Sequence, residues 1–274
     1  MIFGLSVLIF RHEDVIPFLP VLSDYDIKHI ELRCYPPRIP FDNKEYIKKL
    51  SFNLDKYNIS VHSFHLPFNH IDISSTDQEL REKSCKEVLK GVEICGQLGG
   101  KLGILHPGAK YGTLSNKKTA EENSINSISQ IFEHCEKREI KLAVENMLPG
   151  RVGEDYNFFD KVMKNINSPD IGICFDSSHA NANGTVYSFL EKTREKLLTV
   201  HFSDNNGYSD DHFFPFKGNI NWKKIIEILN RISYKSIFML EVAEEVGHSA
   251  EENLTVYQDT IKKLLNYYNP NTLR

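Results

Sequence analysis

Tryptophan occurs once in the 274 residues, cysteine only five times, and no block of lysine and arginine breaks an even charge pattern. Each scarcity excludes something. Cys34, Cys85, Cys95, Cys135 and Cys174 are odd in number and widely spaced, with no C-x-x-C pair, so neither a disulfide framework nor a thiolate zinc site is indicated. They read as reduced and buried. Lys plus Arg is 33 against 37 Asp plus Glu, a formal charge of −4, and nothing in that balance asks for nucleic acid. No stretch reaches the roughly 18 apolar residues that crossing a bilayer requires, so no membrane partner is expected. The apolar opening lacks a positive n-region and meets Arg11-His12-Glu13-Asp14 at once, so it reads as a first buried strand rather than a signal peptide. A soluble, cytoplasmic protein is the expectation.

What the chain does have is a repeat. Short β-branched and aromatic runs recur at Ile2 to Ile9, His29 to Arg33, Ile59 to Phe64, Leu102 to Leu105, Lys141 to Val144, Ile171 to Phe175, Leu198 to Phe202 and Ile237 to Leu240. Between them lie segments with apolar spacing of three and four, such as Ile125, Ile128, Ile131, Phe132 and Cys135, which predict helices. Ser74 to Asp77, Thr113 to Ser115 and Asn221 stand as helix-start signals, Gly99-Gly100 as a helix end, and fraying is expected from about Tyr267. Strands alternating with helices imply a parallel sheet, and eight units imply closure into a single (β/α)8 TIM barrel. The open doubly wound sheet is the alternative, but no G-x-G-x-x-G follows the first strand. With no long Gly, Pro or Ser linker, residues 1–274 are expected to form one domain.

In such a barrel the C-terminal strand ends converge on the active site. Eleven histidines stand against the single tryptophan, and the ends of strands three to eight carry His65, His106, Glu145, Asp176, His201 and Glu241. One His or Glu at a strand end is ordinarily a cap or a solvated loop residue. Six in succession are harder to assign to chance. Carboxylates converging behind apolar runs repel one another and take raised pKa values unless a positive charge lies between them, which a divalent metal supplies. Imidazole with carboxylate oxygen suits Zn²⁺, Mn²⁺ or a similar ion, and no Cys stands at these ends to suggest a softer one. His62 and His65 are an odd number apart, so on a regular strand they face opposite ways, and His65 is the one assigned to the site. His12 is a weaker candidate.

The segments Leu-His-Pro-Gly (His106), Val-Glu-Asn (Glu145), Phe-Asp-Ser-Ser-His (Asp176, His179), Val-His-Phe-Ser-Asp (His201) and Leu-Glu-Val (Glu241) occur in the order typical of the xylose isomerase-like TIM-barrel superfamily. The chain resembles that superfamily from His65 to Glu241 in motifs and from end to end in its repeat. Its isomerase and epimerase branch implies one divalent ion on Glu145, Asp176, His201 and Glu241, with Glu145 and Glu241 moving a proton beside a carbonyl. His65, His106, His179 and His212 would then line a sugar pocket. The endonuclease IV branch implies the same quartet plus His65, His106, His179, Asp210 and His212 holding up to three zinc ions around a phosphodiester of abasic DNA. In that branch Gly-Glu-Gly is usual where this chain has Phe216-Lys217-Gly218.

Ligand number favours the nuclease. The loop after the second strand, Cys34 to Phe41, favours the isomerase, because it offers only Arg38 where a duplex-penetrating loop wants several basic and stacking residues. His65-Leu-Pro-Phe68 also looks more like the sugar-phosphate isomerase branch. The expected function is a metal-dependent sugar or sugar-phosphate isomerase or epimerase, with the multi-zinc endonuclease as the alternative. Lys217 follows the seventh strand, where barrels often bind phosphate, which points to a phosphorylated substrate. A non-catalytic metal-binding barrel is disfavoured by the presence of both Glu residues.

Overall fold

Eight runs of alternating inward and outward side chains become eight parallel strands, hydrogen-bonded in chain order and closed by pairing of the first with the last. The computed structural model describes residues 1–11, 14–34, 40, 42–111 and 116–268. His12, Arg38 with most of the loop after the second strand, and the Thr113–Ser115 helix signal lie outside the described residues. The strands are β1 (Phe3–Ser6), β2 (His29–Arg33), β3 (Ser60–His65), β4 (Leu102–Leu105), β5 (Lys141–Glu145), β6 (Ile171–Asp176), β7 (Leu197–Phe202) and β8 (Phe238–Leu240). Around them run α1 (Leu19–Asp24), α2 (Lys44–Lys56), α3 (Gln78–Gln97), α4 (Lys117–Glu136), α5 (Tyr156–Ile166), α6 (Ser177–Ala182), α7 (Val186–Thr193), α8 (Trp222–Arg231) and α9 (Ala250–Leu265). Among the described residues no helix is long and apolar enough to cross a membrane.

The expected first strand is cut short. After Ser6 the chain turns into a 3-10 helix, Val7–Phe10, whose Leu8 N–H is taken by the Ser6 hydroxyl oxygen. All four residues are buried, and a short apolar run does not by itself separate a strand from a buried helical turn. The helix signals fare better. Asp77 caps α3 through the N–H groups of Glu79 and Leu80, and Asn221 caps α8 through Lys224 N–H. Gly99 follows α3 with φ +76°, a left-handed conformation open to glycine without strain. The five cysteines are free, four of them buried and Cys85 half-buried.

The main apolar core lies between strands and helices. A smaller cluster, Leu102, Ile104, Ala143 and Cys174, fills the barrel itself. Residues two apart on a strand share a face, so the file Leu102-Ile104 continues to His106, Ala143 to Glu145 and Cys174 to Asp176. The apolar plug thus ends upward in titratable groups. On β1, a Cβ at Gly4 would lie 2.7 Å from Met239 Cε, so glycine there makes room for that side chain.

Between β2 and β3 the register slips, with Ile30 opposite Val61 but Glu31 opposite Ser63. His62 is the extra residue. It stays half-buried with its Nε2 lacking a partner, while Ser63 and His65 follow Glu31 toward the interior.

Candidate metal centre

Glu145, Asp176, His201 and Glu241 each bring one ligand atom to a point where the four lie within 4.8 Å of one another, and all four side chains are buried. The carboxylate oxygens Glu145 Oε1 and Glu241 Oε2 stand 3.2 and 3.1 Å from Nδ1 of His201. Asp176 uses Oδ1 to cap α6 at the N–H of His179, 2.7 Å away, which leaves its buried Oδ2 without a hydrogen-bond partner. Asn146 ties the two strand ends together: its amide donates to Asp176 O and its Oδ1 accepts from Asp176 N–H.

Two further groups flank the quartet. Glu145 Oε2 faces Nε2 of His65 at 3.3 Å and of His106 at 3.1 Å, and Asp210 Oδ2 faces Nε2 of His179 and of His212, each at 3.2 Å. Ring protonation sharpens these contacts. The Nδ1 atoms of His65, His179 and His212 meet backbone carbonyls of Leu66, Asn146 and Glu241 at 3.0, 2.8 and 3.0 Å, and a carbonyl only accepts. Each ring therefore donates through Nδ1 and, when neutral, turns the Nε2 lone pair toward a carboxylate. Two lone pairs facing one another need a proton or a metal ion between them. The second-nitrogen hydrogen bond to a fixed acceptor is the arrangement that metal-ligating histidines use.

The electrostatics follow the same contacts. Burial pushes Asp176 up to about 7, with Glu145 and Glu241 adding to the rise against His179. Burial also raises Glu145, but the charges of His201 and His106 outweigh it and hold the carboxyl well below its usual range. Burial lowers His106 to about 4, against the opposing charge and hydrogen bond of Glu145. For His212 burial acts downward, yet the charge and hydrogen bond of Asp210 carry it up to about 9. Glu145 Oε2, Asp176 Oδ2, His65 Nε2 and Asp210 Oδ1 are buried polar atoms without hydrogen-bond partners, and all belong to hard or borderline donor groups. That donor set fits Zn²⁺ or Mn²⁺.

Reading strands three to eight missed the second strand. Glu31, fully buried on β2, accepts from Nε2 of His201 at 2.9 Å and from the Ser63 hydroxyl at 2.8 Å, which leaves Nδ1 of His201 as the atom turned to the quartet. Arg33, also on β2, donates to Glu241 Oε1 at 2.6 Å and leaves Oε2 for the centre, its guanidinium 5.2 Å from the Phe68 ring centroid. The period-two row His29, Glu31, Arg33 was the available signal. Cys174 lies two residues below Asp176, close to Glu145 and His201, and burial keeps its thiol protonated.

Asp210 and His212 ride on the loop after β7, which is built around Asp204. The buried Asp204 carboxylate accepts from the N–H groups of Asn205, Phe216 and Ile220 and from Trp222 Nε1, at 2.8 to 3.2 Å. Gly218 passes so close that a Cβ would run into the carbonyl of Asn205. Beside His212 a cavity of about 810 Å³ opens between the segments that follow β1, β7 and β8. Lys217 is on its wall, 3.3 Å from Glu245.

Residues 19–267 match the family described as the xylose isomerase-like TIM barrel. The chain belongs to that family. Members of the xylose isomerase-like family include epimerases, isomerases and endonucleases. An uncharacterized Methanocaldococcus jannaschii protein, MJ1311, is 28% identical over 247 residues, 88% of this chain and 83% of that protein. A probable endonuclease 4 of Aquifex aeolicus is 27% identical over 223 residues, 74% of this chain and 77% of that one. The structure of a D-tagatose 3-epimerase-like protein superposes with TM-score 0.86 and 25% identity, covering 99% of this chain and all of that one.

Proposed function

We propose that the protein is a divalent-metal-dependent isomerase or epimerase that moves a proton next to the carbonyl of a sugar or sugar derivative. The observation that carries the reading is the pair of carboxylates, Glu145 from β5 and Glu241 from β8, that approach His201 Nδ1 at 3.2 and 3.1 Å beside a cavity of small-molecule size. A divalent ion held by Glu145, Asp176, His201 and Glu241 supplies the charge that makes a proton beside a carbonyl acidic. Glu145 and Glu241 are the groups that would take and return the proton. Arg33 holds Glu241 by its other oxygen, and Glu31 holds His201 by its other nitrogen, so neither side chain can turn away. His65, His106, His179 and His212, which turn Nε2 toward Glu145 and Asp210, would meet the substrate oxygens. The resemblance to a D-tagatose 3-epimerase-like protein supports the same chemistry.

A second reading rests on a specific observation. The flanking pairs, His65 with His106 and His179 with His212, together with Asp210 and the quartet make nine N and O donors in three adjoining groups. Such a set can hold more than one ion, as phosphodiester hydrolysis uses. The likeness to a probable endonuclease 4 points the same way. The described part of the cavity wall favours the small substrate: Arg11 is paired with Glu244 and Lys217 with Glu245, so neither of these two side chains faces a phosphate backbone unopposed. Elemental analysis of protein purified without chelator, run beside ketose turnover and cleavage of a duplex containing an abasic site, separates the two. One bound ion with ketose turnover is expected. Three zinc ions with duplex cleavage would establish the nuclease instead.

A further inference from the structure

We propose a second ligand site at the end of the barrel opposite the metal centre, a cleft that takes a small molecule carrying two phosphate groups. The cleft opens at the N-terminal ends of the strands, with a volume of about 770 Å³. It belongs to no part of the mouth. Its wall is built from Lys101, just before β4, Lys141 at the start of β5, Arg194 ahead of β7 and Lys235 ahead of β8.

Charge is the first argument. Those four cations share the wall with one acid, Glu139, on a chain whose formal charge is −4. Burial lowers the wall residue His62 to about 4 against the charge of Glu31, and burial raises Tyr234, so neither adds charge at neutral pH. Two of the cations also meet acids outside the wall: Lys141 is 3.4 Å from Asp170 and Arg194 is 3.6 Å from Glu195. Counting both of those acids still leaves the cations in excess. Exposed pairs of this kind contribute little, so a phosphate can replace the carboxylates. Lys101 and Lys235 have no ion pair among the described residues. The cavity beside the metal centre differs, since Asp211, Glu244 and Glu245 match or outnumber its cations whether or not His212 is charged.

Placement is the second. Lys141 N–H donates to the Lys101 carbonyl at 2.9 Å, so these two lysines leave neighbouring strands side by side. Arg194 and Lys235 likewise precede adjacent strands, β7 and β8. The cations therefore come as two pairs from two sectors of the barrel, which suits two phosphates better than one. Ser233 and Ser236 add hydroxyl donors to the wall.

Shape is the third. A concave cleft within the roughly 300–1,000 Å³ that encloses small ligands suits a compact molecule, whereas nucleic acid follows a basic stripe along a surface. Chemistry in this fold belongs to the C-terminal end of the strands, so the ligand is bound here without being turned over.

The test is calorimetric titration of the full chain, metal-loaded and again after chelation, with inorganic phosphate, pyrophosphate and glucose 1,6-bisphosphate. One equivalent of pyrophosphate or of the bisphosphate is expected to bind at least about tenfold tighter than phosphate, with metal or without. Whichever of the two binds tighter says whether the phosphates are linked or separate. The double variant Lys101→Ala/Lys235→Ala should weaken that binding at least about tenfold, and Lys101→Arg/Lys235→Arg should restore it. Glu139→Gln, which removes the wall's one acid, should tighten it. Binding that disappears with the metal puts the phosphates at the metal centre and overturns the inference. So does equal affinity for phosphate and both bisphosphates, or affinity unchanged in the alanine and glutamine variants. A short DNA duplex that binds more tightly than either bisphosphate, with the same dependence on Lys101 and Lys235, would make this face a nucleic-acid surface instead.

Discussion

Glu241 and Asp176 each have one oxygen committed to the protein, at Arg33 and at the His179 N–H, and one turned inward, whereas Glu145 spends both oxygens on histidines of the mouth. Glu145→Gln or Glu241→Gln keeps the shape and removes the basic oxygen, so turnover should fall about 10²- to 10⁴-fold with the thermal transition retained. A variant with wild-type rates would remove either Glu from the mechanism. Glu31 touches His201 only through the nitrogen remote from the quartet. Glu31→Gln is therefore expected to weaken metal binding about 10- to 100-fold, read by competition with a chromophoric chelator. Unchanged affinity would reduce Glu31 to a packing role. The histidines also predict how metal-free protein responds to pH. Asp210 raises His212 to about 9, above the unfolded value near 6.5, so its contribution is complete below about 6.5 and lost as pH rises through 9. His179 and His201 are shifted in the same direction. Chelated protein should thus lose melting temperature between pH 6.5 and 9, and metal-loaded protein should not.

At the scale of elements, the loop after β7 is the piece that carries function on irregular backbone. His212 sits there with φ +50°, held by its bond to Glu241 O. Asp204 gathers the loop, and Asp204→Ala leaves three backbone N–H groups and the Trp222 indole without their acceptor. Each buried orphan costs about 1–3 kcal/mol, so denaturant unfolding should register a loss of several kcal/mol, with His212 displaced from Asp210. A loss under about 1 kcal/mol would mean that the loop is held by something else. This loop also marks where sequence reading stopped. Asp210 and His212 were legible through their D-x-H spacing, but Asp204, two residues after β7, passed as the end of a motif because its partners are backbone groups that no residue pattern announces. The strands were legible nearly to the residue, since a buried parallel strand is a short apolar run with sharp polar ends. β1 was not, because Val7–Phe10 is equally apolar as a helical turn.

At the scale of the molecule, the chain buries its reactive sulfur and opens its nitrogen and oxygen chemistry at one end of the barrel. Burial pushes Cys34, Cys95 and Cys135 up to about 12, and Cys174 is shifted the same way. The native protein at pH 8 should give at most one equivalent with a thiol reagent, from half-buried Cys85, and five after unfolding. More than one native equivalent would contradict the burial described. The site was legible where chemistry stands at strand ends. Glu31 and Arg33 escaped because β2 carries its charged row inside the strand, and the register slip at His62 that brings Ser63 under Glu31 has no sequence signature. What unites these parts is a proton moved beside a carbonyl by Glu145 and Glu241. The most direct measurement is incorporation of solvent deuterium at the carbon next to the carbonyl of a bound ketose, in metal-loaded wild type and in Glu145→Gln. Incorporation by the wild type that is lost in the variant is predicted. No incorporation into any ketose by fully loaded wild-type protein would contradict it.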